Sequence, residues 1–183
     1  MGEPTLDAFR RRLGRLLGVA LDSAEEAKQQ LNLQAVKHGA FEGSAHRHQR
    51  EHLAKVQFVS AMELALGECR KMSARGTLTE CDLLGAASEL LAAHREALVT
   101  QLVPAPDPAF ASSASTGDSR ADVVRANLID LQGEVFREYE LGMYTLPGDP
   151  SSPVIINVAN ITDSQVGNVQ QSGANSAQRG NAE

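Results

Sequence analysis

The residues best suited to chemistry lie in one short stretch near position 50. His48 and His52 are four residues apart, and Glu51 lies between them. Residues at this spacing share one face of an α-helix, so the two imidazoles can hold a single zinc ion. A neighbouring glutamate can activate a zinc-bound water for hydrolysis. A small zinc-dependent hydrolase is therefore one possible function.

The order of these residues, H-x-x-E-H, resembles the metal-binding pattern of inverted zinc peptidases. That resemblance implies His48 and His52 as metal ligands and Glu51 as the residue that activates water. A third ligand would have to come from a distant acidic residue such as Glu134 or Glu138. Gln and Arg lie between the histidines, which favours a solvated helix face. The motif is thus also compatible with a structural metal ion or with a merely polar helix start.

Other catalytic patterns are missing from the sequence. It contains no glycine-rich phosphate loop, no G-x-S-x-G nucleophile elbow and no CxxC pair. Cys69 falls on an apolar helix seam. Cys81 falls in the first turn of a helix, a location that can lower the pKa of a thiol, but no histidine is nearby in sequence to act as its base. We therefore expect a protein that is not an enzyme and needs no cofactor.

Composition narrows the class of partner and the compartment. The chain has 17 Lys and Arg against 23 Asp and Glu, a formal net charge of −6, which disfavours a nucleic-acid partner. Two cysteines are too few for a disulfide framework. The apolar runs are shorter than the roughly 18 residues that a membrane-spanning helix needs, and no secretory signal pattern opens the chain. We expect a cytoplasmic protein.

Helical periodicity covers most of the first 145 residues and predicts a mainly α fold, a four- or five-helix bundle. A capping-box pattern at Ser23–Glu26 predicts that a second helix starts there, and Gly39 predicts its end. Thr79 and Asp82 predict another helix start. The predicted segments are a helical bundle at 5–103, a Pro/Ser/Ala linker at 104–119, a fifth helix at 120–145, a short β-prone, Asn/Gln/Ser/Gly-rich tail at 154–178, and a disordered end at 179–183.

The apolar residues of the predicted helices form seams that should make the core. His94 falls on the seam of the fourth helix, where a hydrogen-bonded core histidine is the favoured interpretation. Val56 falls on the seam of the third helix, and Met143 on the seam of the fifth. Trp is absent, and aromatic residues make up only 4 % of the chain, so Leu, Val and Ala must supply most of the core.

Arginines fill the gaps between the apolar residues of the first helix: Arg10, Arg11, Arg12 and Arg15. An apolar face beside arginines suits an anionic lipid surface or an acidic partner. A membrane-permeabilising helical effector is therefore a second possible function. The more common arrangement is that such a helix forms one wall of its own bundle.

Residues 154–178 differ in composition from the rest of the chain. Val154–Val158 is rich in β-branched residues and predicts a strand, and Asn, Gln, Ser and Gly dominate the remainder of the segment. Three interpretations remain: a disordered polar tail, an edge strand docked on another protein, or a short β-arc that stacks on copies of itself. The residues expected to mediate self-association are Ile156, Val158, Ile161, Gln165, Val166, Gly167 and Val169.

The run Gln165-Val166-Gly167, flanked by Asn and Gln, resembles the amyloid signalling motifs related to the RIP homotypic interaction motif. Those motifs centre on an apolar-Gln-apolar-Gly tetrad, and Ser164 stands here at the first position. The resemblance implies a bacterial defence or cell-death signalling protein, in which a HeLo-like helical effector precedes a tail that a partner with a similar tail can template. The sequence thus predicts a homo-oligomeric assembly protein.

Overall fold

Four helices make up the regular structure of the part of the chain that the computed structural model describes, residues 5–41, 43–76, 78–103 and 120–146. They are α1 (Leu6–Lys37), α2 (Ser44–Ser73), α3 (Glu80–Leu102) and α4 (Arg120–Glu140). The predicted mainly α bundle is confirmed. The predicted linker at 104–119, the tail at 154–178 and the end at 179–183 lie outside the described residues.

The helix boundaries follow from local chemistry. The Thr79 hydroxyl accepts a hydrogen bond from the Asp82 backbone N–H at 3.2 Å and donates one to the Asp82 carboxylate at 2.6 Å, as the sequence predicts for the start of α3. Gly39 follows the end of α1 with a φ of 63°, a conformation that glycine adopts without strain. The predicted break at Gly39 is therefore confirmed.

The predicted helix start at Ser23 is wrong, because α1 runs through it without interruption. Ser23 is exposed, whereas the next residue, Ala24, is completely buried. No proline interrupts this stretch, and alanines and glutamates around it are good helix formers. Burial of Ala24 against the core holds the backbone helical, so a capping signal in the sequence is overridden by packing.

The centre of the bundle is the α2–α3 pair, because each of the other two helices packs against both of its members. Ala54, Ala61 and Ala65 of α2 and Ala86 and Ala87 of α3 are all buried. Alanines at a contact let two helices approach closely, and larger side chains then fill the space on either side. The largest of these fully buried side chains are Phe9, Phe58, Leu13, Met62, Leu66, Leu83, Leu91, Leu98, Leu102 and Leu128.

Helices α1 and α4 each pack against both α2 and α3, but not against each other. Helices α1 and α4 therefore lie on different sides of the α2–α3 pair, and each has one face directed outward. Two residues predicted on the seams differ from expectation. Val56 is 45 % exposed, and Met143 is 69 % exposed because α4 ends at Glu140 and the chain turns at Gly142.

His94 lies in the core, as the seam pattern predicts, but without the expected hydrogen bond at one ring nitrogen. Its exposed fraction is 6 %, and its Nε2 has no hydrogen-bond partner among the described residues. Burial disfavours the charged imidazolium and lowers the pKa of His94 below its ordinary value. The folded state therefore favours the neutral form of this side chain.

This burial predicts a specific acid sensitivity. Unfolded His94 takes up a proton as the pH falls through about 6.5, whereas folded His94 takes one up only at lower pH because its pKa is lowered, so the free energy of unfolding should decrease below about pH 6.5. The substitution His94→Leu should flatten this slope in urea titrations at pH 5 to 8. An unchanged slope in the His94 variant would contradict a buried neutral imidazole.

Candidate functional site

The histidine motif lines a groove of about 460 Å³ between α2 and α4. Val124, Leu128 and Leu131 of α4 supply its apolar side chains. The polar side chains around them include both acidic and basic groups. They are His48, Glu51, His52 and Lys55 from α2, and Asn127, Asp130 and Glu134 from α4. The groove thus collects the predicted ligands His48 and His52 with Glu134, one of the two acidic residues considered for a third ligand.

Arg120, the first residue of α4, forms hydrogen bonds with His48 and Glu51 of this motif. Its Nη2 donates to His48 Nδ1 at 2.9 Å and to Glu51 Oε2 at 3.1 Å, and its Nε donates to Glu51 Oε1. The hydrogen bonds to Glu51, together with its negative charge, raise the pKa of Arg120, so the guanidinium stays charged. Both ring nitrogens of His48 lie within hydrogen-bond distance of this guanidinium, and the Glu51 carboxylate that would activate water is already bonded to it.

The ligand set that the zinc hypothesis requires is not assembled in the described residues. No group of three His, Cys, Asp or Glu side chains there is arranged to hold a metal ion. Glu134 lines the groove but does not complete a ligand set. Glu138 lies instead near Tyr144, whose phenol has its pKa raised to about 12 by burial and by Glu63, with a smaller contribution from the Glu138 charge. The arrangement favours an interhelical ion pair at this position.

Sequence reasoning missed Arg120, although one signal was available. A cation at a helix N-terminus opposes the helix dipole and is therefore unfavourable unless an anion lies close by. Arg120 directly follows the Pro/Ser/Ala-rich stretch and begins α4. Its position predicts an acidic partner, but only the packed structure identifies Glu51, which is 69 residues earlier in the chain.

The four arginines of α1 divide into two pairs with different surroundings. Arg10 forms an ion pair with Glu89 of α3 at 2.7 Å, and both side chains are largely exposed. Arg12 forms one with Glu68 of α2 at 2.6 Å, and the Glu68 side chain is only 6 % exposed. Lys71 also contacts this buried carboxylate at 2.9 Å. Two of the predicted surface arginines thus hold α1 to its neighbours.

The remaining arginines of α1 face outward. Arg11 and Arg15 line a shallow depression with Ala8, and neither forms an ion pair with any described residue. No helix in the described ranges is long and apolar enough to cross a membrane. Of the four arginines predicted as a partner face, Arg11 and Arg15 are thus the two without an ion pair among the described residues.

The two cysteines lie where the sequence places them. Cys69 is buried in the core, and burial raises the pKa of its thiol to about 12, so it stays protonated and unreactive at neutral pH. Cys81 is exposed in a groove of about 520 Å³ between α3 and α4. Tyr139 lines the same groove, and burial together with a hydrogen bond to Glu80 raises the pKa of its phenol to about 12.

The predicted self-association residues all lie beyond the described part of the chain: Ile156, Val158, Ile161, Gln165, Val166, Gly167 and Val169. Comparison of the chain with protein-family models, curated proteins and solved structures gave no match. The functional inference therefore rests on the residues of this chain.

The two ion pairs of α1 should differ in their contribution to stability. Arg12→Ala leaves the buried Glu68 carboxylate with Lys71 alone and should lower the free energy of unfolding by about 2 kcal/mol. Arg10→Ala removes an exposed pair on the same helix and should cost less than about 0.5 kcal/mol. Urea denaturation of the two variants compares them directly. Equal losses would show that burial of Glu68 does not matter.

Proposed function

We propose that this chain is a non-enzymatic assembly protein, in which a helical bundle self-associates through residues 154–178. The observation that carries the proposal is the pattern of that segment. Ile156, Val158, Ile161, Val166 and Val169 recur within a stretch that otherwise consists mainly of Asn, Gln, Ser and Gly.

The physical argument concerns what such a segment needs to bury its apolar side. One short β-arc has too few apolar residues to form a core alone, so it gains stability only by stacking on further copies. Stacked strands pair every backbone N–H and C=O between copies, and Asn and Gln side chains form hydrogen-bonded ladders along the stack. Because identical chains have identical β-arcs, the same residues can align from one copy to the next in the stack. This favours assembly of copies of the same chain.

The described helices suit a carrier role better than a catalytic one. Arg120 engages His48 and Glu51, the residues on which a hydrolase would depend. Arg10 and Arg12 are committed to ion pairs within the bundle, which weakens the case for a membrane effector. The resemblance of Gln165–Gly167 to amyloid signalling motifs supports bacterial defence or cell-death signalling, with a partner protein that carries a similar tail.

The proposal predicts that charge placed in the tail prevents assembly. In the full chain, the combined substitutions Ile156→Asp, Val158→Asp and Val166→Asp place like charges directly above one another in a stack, where they repel. Wild-type protein should form species well above twice the chain mass of 19.5 kDa and bind thioflavin T, and the variant should do neither.

The matched control carries the same added charge outside the predicted arc, through Gly180→Asp, Asn181→Asp and Ala182→Asp. It should assemble like wild type. If the two triple variants and wild type share one mass distribution by sedimentation velocity, residues 154–178 are not the assembly element. Circular dichroism of each variant verifies that the helices remain folded.

A further inference from the structure

The outward side of α1 carries an ordered series of charges. Phe9, Leu13, Leu17, Ala24 and Ala35 mark the buried side of this helix. At 100° per residue, six residues between positions 11 and 26 lie on the side opposite the buried residues, and we call these six the outer stripe. The outer stripe consists of Arg11, Arg15, Gly18, Val19, Asp22 and Glu26.

The charges of the outer stripe lack partners within the described part of the chain. Arg11, Arg15, Asp22 and Glu26 are exposed and form no ion pair there. Arg11 and Arg15 are four residues apart, as are Asp22 and Glu26, so each pair places like charges side by side on the helix. Such pairs destabilise a helix unless opposite charges approach them. Val19 between them is 67 % exposed.

The order of these residues is self-complementary. When two copies of α1 are laid antiparallel about a point between Gly18 and Val19, Arg11 of one copy lies opposite Glu26 of the other. Arg15 lies opposite Asp22 in the same arrangement, and each pair occurs twice by symmetry. We propose that the outer stripe binds the outer stripe of a second copy of this chain, in a two-fold symmetric antiparallel contact.

Helix geometry permits this contact. The stripe from Arg11 to Glu26 is about 22 Å long at 1.5 Å per residue, and helices that cross at about 20° stay adjacent over such a length. At the centre, Gly18 has no side chain and is exposed, with open space where a Cβ would be. Val19 of the second copy packs there. By symmetry, one Val19–Gly18 contact lies on each side of the two-fold axis.

Charge distinguishes this partner from a lipid surface. An anionic membrane attracts Arg11 and Arg15 but repels Asp22 and Glu26, which share the same stripe. A second copy satisfies both signs at once. The contact involves only α1, so it is independent of residues 154–178 and does not rest on the proposed tail-mediated assembly.

The test uses charge reversal in full chains that also carry the three Asp substitutions of the tail, so that tail assembly is suppressed. The background protein should be a dimer that dissociates as salt concentration rises, because salt screens the ion pairs. The variant Arg11→Glu with Arg15→Glu should be monomeric, because its new carboxylates face Glu26 and Asp22 of the second copy and repel them. Asp22→Arg with Glu26→Arg should likewise be monomeric.

Two further samples identify the pairing. All four reversals in one chain restore opposite charges at every pair and should restore the dimer. An equal mixture of the two monomeric variants should form a one-to-one complex by native mass spectrometry. As a matched control, Arg47→Glu with Arg75→Glu makes the same change in net charge at exposed positions off the stripe, and should leave the dimer intact.

Three outcomes would overturn the proposal. The background protein could be monomeric at all concentrations, the stripe variants could keep the dimer, or the control could lose it equally. Failure of the tail proposal gives a different result: high-mass species persist when the tail carries the three Asp substitutions. The two proposals therefore fail in distinguishable ways.

Discussion

Close packing of α2 against α3 is the constraint on which the rest of the bundle depends. A chain with no Trp and few aromatic residues builds much of its core from Leu and Ala, and buried alanines on both α2 and α3 allow close packing in that core. Both other helices pack on the pair without touching each other. That arrangement places the histidine groove between α2 and α4 and leaves the outer stripe of α1 exposed. Both surfaces thus depend on how α1 and α4 pack on this pair.

The charged residues of the bundle divide by what surrounds them. Glu68 and Glu51 have little exposed side chain, and each is held by an arginine from another helix, because a carboxylate removed from water needs a cation. Arg11 and Asp22 are exposed and without ion pairs in the described ranges. The first group stabilises the fold of one chain. The second group is the one available for contacts between chains, and its order along α1 has the symmetry that a pair of identical chains requires.

Local signals in the sequence predicted the helical class and several boundaries. Thr79 with Asp82 and the glycine at position 39 set helix ends through hydrogen bonds and backbone conformation, which depend only on neighbouring residues. Ser23 misled because burial of Ala24 outweighs a local capping preference. The pairing of Arg120 with Glu51 was not predictable, since it joins residues far apart in sequence whose proximity depends on how α4 packs. The histidine motif can be recognised from the spacing of His48 and His52 alone. Only the structure shows that Arg120 is hydrogen-bonded to this motif.

Self-association is the central claim, and the solution mass of the unmodified full chain tests it most directly. Sedimentation velocity over a wide range of protein concentration should show an average mass above the 19.5 kDa of one chain, increasing with concentration. A single species of one-chain mass at every concentration would contradict both the assembly proposal and the antiparallel α1 contact.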